Sequence, residues 1–282
     1  MTIKNLAASV HGRLMDRARK DGRPFQELLE YFAMERFLYR LSSSAHGDRF
    51  VLKGALMLRV WDAPEARPTR DIDLLGRMDN SPEHLAQVIA EVCDAEVEPD
   101  GLVFEASTVK ATKIKEDAEY EGVRVRFEGM LARSKIPMQI DVGFGDVVVP
   151  VAKLIGYPTL LDFPAPRMKG YPRETVVAEK FEAMVKLGTL NSRMKDFFDL
   201  WLMARQFDFD GALLARAVTS TFKNRKTAID PAPVALTPAF TESPTTAAQW
   251  RAFVRRGKFA HVPEPRRFRG QRGRQGPGAV QV

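Results

Sequence analysis

From Thr69 to Leu75 the chain reads Thr-Arg-Asp-Ile-Asp-Leu-Leu, with carboxylates alternating with aliphatic side chains. Successive residues of a strand point to opposite faces, so Ile72 and Leu74 would enter a core while Asp71 and Asp73 stand side by side on the other face. Two adjacent carboxylates repel unless a cation lies between them or one of them takes a proton. A hard divalent cation meets that need, and Mg²⁺ favours carboxylate oxygens together with substrate phosphates. A third acid, Asp141, sits between apolar neighbours in the strand-like run Met138–Phe144. Three carboxylates from two strands are what two-metal phosphoryl-transfer chemistry requires, and the third can also draw a proton from an attacking hydroxyl. Gly54, at the turn before this segment, would let backbone approach a phosphate. An Asp-x-Asp pair alone equally suits a solvated strand face; the spacing to Gly54 and Asp141 turns the reading toward chemistry.

The surrounding pattern predicts an α+β (mixed α/β) fold. Phe25, Leu28, Leu29, Phe32, Phe37, Leu38 and Leu41 recur at helical spacing, and Phe50-Val51-Leu52 reads as a buried strand leading to a brief helix at 56–61. Ser81-Pro82-Glu83 opens a helix with a capping serine and proline at its first position. Val123, Val125 and Phe127 alternate with Arg124, Arg126 and Glu128, as in a half-exposed strand. From about 145 to Pro172 only short apolar runs appear, and helices are predicted at about 173–188, 194–207 and 211–223. Ala228–Thr246, rich in Pro, Thr and Ala, reads as a linker or irregular wrap. The expected division is an α/β core with N-terminal helices at 1–165, a helical lobe at 166–262 and a disordered basic tail at 263–282.

Composition excludes several classes. With 45% hydrophobic and 28% charged residues in 282, the chain is an ordinary globular sequence. No apolar run approaches the roughly 18–20 residues of a membrane span, and Met1–Arg19 reads as a basic amphipathic helix rather than a signal peptide. One cysteine, Cys93, rules out a cysteine zinc site and suits a reducing cytoplasm. His11, His46, His84 and His261 are scattered, and neither a GxxxxGK[ST] loop nor a GxSxG elbow is present. The net charge of +7 invites nucleic acid, but residues 251–282 hold nine basic side chains against Glu264. The first 250 residues therefore carry 34 basic and 35 acidic groups and are balanced.

Gly54, Asp71-Ile72-Asp73 and Asp141 together resemble the polymerase-β-like nucleotidyltransferase superfamily. Within it, Phe50-Val51-Leu52-Lys53-Gly54-Ala55-Leu56 and Arg67-Pro68-Thr69-Arg70-Asp71-Ile72-Asp73-Leu74 look like the AbiEii/AbiGii toxin family, which includes the mycobacterial MenT toxins. Two later motifs extend the resemblance to about residue 225: Ala178–Met184 with Lys180, and Asn191–Leu200 with Arg193, Asp196 and Asp199. Gly54-Ala55 stands where the superfamily usually has Gly-Gly or Gly-Ser, and the gap to Asp71 is a few residues longer than usual. Neither departure removes a metal ligand.

The resemblance implies a nucleotidyltransferase that moves a nucleoside monophosphate from an NTP to RNA, the acceptor end of tRNA, with Mg²⁺ or Mn²⁺. It implies Asp71, Asp73 and Asp141 as metal ligands, Lys180 on the triphosphate and Asp199 among the functional residues. Gly54, Ala55, Thr69, Arg193 and Asp196 would line the nucleotide, and a neighbouring gene would supply an antitoxin. The residues alone leave alternatives open. Lys180 could pair with Glu174, Glu179 or Glu182 at the surface, and Lys195 with Asp199 along one helix. A protein or small-molecule acceptor, or an inactive nucleotide- or RNA-binding module, would use the same fold.

Overall fold

The structure, a computed structural model, describes residues 5–63, 67–117, 120–257 and 259. It divides into two compact units, each assembled from separate stretches of chain: Met1–Asp62, Pro68–Asp146 and Ala152–Tyr171 form the first, and Ala63–Arg67, Val147–Val151 and Pro172–Val282 the second.

The first unit is built on a seven-stranded mixed sheet. Its strands are β1 (Phe50–Lys53), β2 (Ile72–Gly76), β3 (Leu102–Asp117), β4 (Tyr120–Leu131), β5 (Ser134–Phe144), β6 (Lys153–Gly156) and β7 (Arg167–Gly170), in the order β3-β4-β5-β2-β1-β7-β6. The helices are α1 (Leu6–Asp21), α2 (Phe25–Ser43), the single-turn α3 (Leu56–Val60) and α4 (Pro82–Cys93). Ser81 caps α4 by accepting from the amide of His84, and Leu85, Val88, Ile89 and Val92 are buried, as the periodicity predicts. Along α2 the predicted apolar positions from Leu28 to Leu41 are buried too, but so are Glu35, Arg36 and Arg40. Buried charges need partners. Asp100 supplies one, accepting from Arg40 Nη1 at 2.7 Å, Arg40 Nη2 at 3.0 Å and Arg36 Nε at 3.2 Å. Burial pushes the Glu35 carboxyl up to about 7, against the amide of Leu160 and the guanidinium of Arg36.

The second unit is helical: α5 (Arg173–Leu187), α6 (Met194–Gln206), α7 (Gly211–Asn224), the short α8 (Pro238–Thr241) and α9 (Pro244–Gly257). Phe181 meets Phe222, and Phe197 stacks on Phe240, with ring centroids 5.5 Å apart in both pairs.

Two sequence expectations are corrected here. The run read as irregular between 145 and 172 contains β6 and β7, and β7 pairs parallel with β1. Four-residue strands are too short to display a two-residue period. The stretch read as a linker at 228–246 contains α8 and the start of α9; Pro238 and Pro244 each occupy a first helical turn, where proline is tolerated. The basic tail read at 263–282 lies outside the described residues. No described helix is long and apolar enough to cross a membrane.

Candidate active site

Strand β2 is hydrogen-bonded on both sides, antiparallel to β1 and parallel to β5. Burying Ile72 and Leu74 fixes its register, because a slip of one residue would put the aspartates into the core. The register then aligns one row across five strands: Lys53, Asp73, Asp141, Arg124 and Thr112. Asp71 lies one pleat further along β2's line and shares the face of Asp73. The outcome is the predicted cluster: carboxylate oxygens of Asp71, Asp73 and Asp141 all lie within 4.8 Å of one another. Asp71 and Asp73 are half-buried and Asp141 is buried.

Each acid is held. Thr69, which shares the face of Asp71, donates its hydroxyl to Asp71 Oδ1, while its own amide donates to Tyr31 Oη at 3.2 Å. Asp141 accepts a two-pronged contact from Arg124, with Nε to Oδ1 and Nη2 to Oδ2 both at 2.7 Å. The hydrogen bond to Asp141, reinforced by the charges of Asp141, Asp71 and Asp73, raises the guanidinium pKa above its ordinary value. Lys53, at the end of the row, donates to Asp146 at 2.7 Å. Arg70 points off this face, as its parity predicts, and is exposed beside Glu30 at 3.3 Å.

Gly54 is required for a reason the sequence reading did not reach. Its φ is +70°, a conformation that costs other L-residues roughly 1–2 kcal/mol. A Cβ there would also overlap the Asp73 carboxylate. The close neighbour that demands glycine is thus the carboxylate of the cluster itself. Ala55 follows, buried, at the N-cap of α3.

A second cluster forms within the helical unit. Lys180 on α5 reaches Asp196 Oδ1 at 2.7 Å and Asp199 Oδ2 at 2.8 Å, both on α6. Arg67 grips Asp199 with Nε at 2.9 Å and Nη2 at 3.0 Å, and Arg193 Nε lies 2.8 Å from Asp196 Oδ2. The reading of Lys180 as a surface partner of Glu179, Glu182 or Glu174 is therefore corrected: its carboxylates come from the next helix. Glu182 is bound instead by Arg225 and Thr227. The alternative in which Lys195 holds Asp199 also falls, since Arg67 and Lys180 occupy that carboxylate. Burial disfavours the charge on Lys180, but the attraction of Asp196 and Asp199 outweighs it and raises the ammonium pKa. Burial likewise opposes ionisation of Asp196, and Lys180 and Arg193 reverse it, so its pKa is lowered.

The structure thus gathers the predicted residues into two groups. Gly54, Thr69, Asp71, Asp73 and Asp141 meet in the sheet unit, and Lys180, Arg193, Asp196 and Asp199 in the helical unit. Sequence reasoning assigned no role to Arg124 or Arg67. Arg124 stood in an alternating strand as one of its solvent-facing residues; only the cross-strand register reveals its partner. Arg67 is 132 residues from Asp199, and no local pattern connects them.

The donor set is three hard carboxylate oxygens in mutual reach, which fits a divalent cation such as Mg²⁺ and would not suit a soft metal. The family of nucleotidyl transferase AbiEii toxins of type IV toxin–antitoxin systems matches this sequence over residues 36–270. Among solved structures, the nucleotidyltransferase toxin MenT4 of Mycobacterium tuberculosis is similar, at 20% identity over 93% of this chain and 92% of that one, with a TM-score of 0.51. JHP933 of Helicobacter pylori is 14% identical over 83% of this chain and 94% of its own, with a TM-score of 0.42. No curated protein sequence matches.

Proposed function

This chain belongs to the AbiEii family of nucleotidyltransferase toxins, and from that premise we propose that it uses Mg²⁺ or Mn²⁺ to transfer a nucleoside monophosphate from an NTP to the acceptor end of tRNA, blocking translation in the cytoplasm. The observation that carries the reading is the convergence of Asp71, Asp73 and Asp141 on one face of the sheet. The acceptor hydroxyl attacks the α-phosphorus, the bond to the bridging oxygen breaks, and pyrophosphate leaves.

In this scheme Asp71, Asp73 and Asp141 hold the divalent metal, which when bound neutralises charge on the attacking and leaving oxygens. Asp141 takes the proton of the acceptor hydroxyl. Thr69 orients Asp71, and Gly54 leaves room for Asp73. Lys180, kept charged by Asp196 and Asp199, binds the triphosphate as a point donor; Asp199 positions it, and Arg193 adds a further cation for the nucleotide. An RNA acceptor is supported by the family resemblance and by Arg126 and Lys110, exposed and paired in register on the solvent face beside Arg124. Family membership also implies a cognate antitoxin, encoded by a neighbouring gene.

The test is incubation of the chain with total tRNA, Mg²⁺ and each labelled NTP in turn. Asp73→Asn should lower transfer by at least about a thousandfold, on the scale of a lost catalytic charge, with circular dichroism unchanged. Full labelling by that variant, or label on protein rather than RNA, overturns the scheme.

A further inference from the structure

Arg124 takes up both carboxylate oxygens of Asp141, at 2.7 Å each. These are the oxygens a metal would need. The contact is the strong, planar, two-pronged kind that guanidinium makes with carboxylate. Its position follows from the strand register: Arg124 lies opposite Asp141 on one side, and Asp73 lies opposite on the other. The remaining acids also act on Arg124, since Asp71 and Asp73 add to the attraction that keeps it charged. Gln139 approaches Asp141 Oδ2 at 3.4 Å and itself accepts from Arg126 Nε at 3.2 Å, so neutral and cationic groups line this side of the cluster.

We propose that Arg124 is the resident counter-ion of the three-carboxylate cluster, and that a divalent cation entering the cluster competes with it for Asp141. The inference rests on the reading of Asp71, Asp73 and Asp141 as the metal site. Without metal, Arg124 balances the acids and keeps Asp141 in place. In this account the guanidinium gives up at least one Asp141 oxygen when the metal enters, so part of the binding free energy is spent on that exchange. The consequence is a weakened metal affinity, which makes activity respond to divalent ion concentration. Arg124 is a positioning residue in this account, acting through Asp141.

Titrating the metal-free full chain with Mn²⁺, with the free ion counted by electron paramagnetic resonance, tests the competition. Arg124→Met should bind Mn²⁺ about tenfold more tightly than the parent, a difference of ~1.4 kcal/mol. Arg124→Lys, which keeps the charge but loses the fork, should fall between them. The Mg²⁺ concentration for half-maximal transfer should drop in the same order. Asp73→Asn is the control: if it binds Mn²⁺ as the parent does, the metal reading fails and this inference with it. If Asp73→Asn loses binding while Arg124→Met binds no more tightly than the parent, the metal reading stands and the competition is refuted. A readout on the unaltered chain guards against misfolding of the variants. The Nε–H resonance of Arg124 should move on saturation with diamagnetic Mg²⁺, and an unmoved resonance would also refute the exchange.

Discussion

The two polar clusters have opposite charge balance. Among the described residues in contact at the sheet site, Asp71, Asp73, Asp141 and Asp146 face Lys53 and Arg124, an excess of acid. Among the described residues of the helical unit, Arg67, Lys180 and Arg193 face Asp196 and Asp199, an excess of base. On the proposed reading the first receives a cation and the second a nucleotide's phosphates. Their burial differs as well. Asp71 and Asp73 stand half-open at the start of β2, whereas Asp196 and Asp199 are 1% and 0% exposed between helices. An open cluster can tolerate loss of a charge because water covers the remainder. A buried one cannot. The acids of the helical unit should therefore matter for stability, and Asp71 and Asp73 of the sheet chiefly for chemistry.

The largest stability effect expected from this contrast is at Asp199. Replacing it by alanine removes the two-pronged contact made to Arg67 and strips one of two carboxylates from Lys180. Breaking a buried pair by removing one side costs about 3–5 kcal/mol, because the other charge stays uncompensated. Urea unfolding followed by tryptophan fluorescence should show it, since Trp201 and Trp250 both lie in the helical unit. An unfolding free energy within about 1 kcal/mol of the parent would place Asp199 with the tolerant acids of the sheet.

Acid should separate the two clusters next. The folded-state pKa of Asp196 lies below its ordinary value, so it contributes stability that is present above that ordinary value and is lost as pH falls through the folded one. The helical unit should lose stability in that window. Asp196→Asn should flatten the acid limb of a stability-versus-pH curve measured by the same fluorescence. The effect should be smaller than at Asp199, because Arg193, one of the cations on Asp196, is half exposed to solvent. An acid limb as steep in Asp196→Asn as in the parent would remove Asp196 from this role.

The sequence made the first cluster easier to read than the second for a physical reason. Alternation along β2 and β5 puts Asp71, Asp73 and Asp141 on the face opposite Ile72, Leu74, Ile140 and Val142, so their company follows from local pattern. Arg124 escaped because parity shows which face a side chain takes, while its neighbour depends on strand order and register. In the helical unit, Phe197, Phe198, Leu200 and Trp201 place apolar side chains on more than one side of α6, so Asp196 and Asp199 need partners. Which cations those were depended on the packing of α5 against α6 and on a segment more than a hundred residues earlier. Helices α5, α6 and α7 were legible to within a residue or two, as at 173–187 against an expected 173–188, whereas α8 and the start of α9 were read as a linker. The short strands β6 and β7 were not, because pairing with β1 rather than periodicity defines them.

The smallest predicted effect has the opposite sign from the first. Asp71→Asn removes one charge from the crowded sheet cluster while leaving an amide oxygen to accept the hydroxyl of Thr69. With like charges within 4.8 Å partly screened by water, the relief should be about 0.5 kcal/mol of added stability without metal. For a chain of this size that corresponds to roughly 1–2 °C in melting temperature. Saturating Mg²⁺ should reverse the order, because the parent gains stability from a ligand that binds its folded state and the variant gains less. Thermal melts of both proteins with and without Mg²⁺ measure this crossing. A variant less stable than the parent in both conditions would mean that Asp71 acts structurally, as Asp199 does, and the distinction between an open chemical cluster and a buried structural one would fail at that residue.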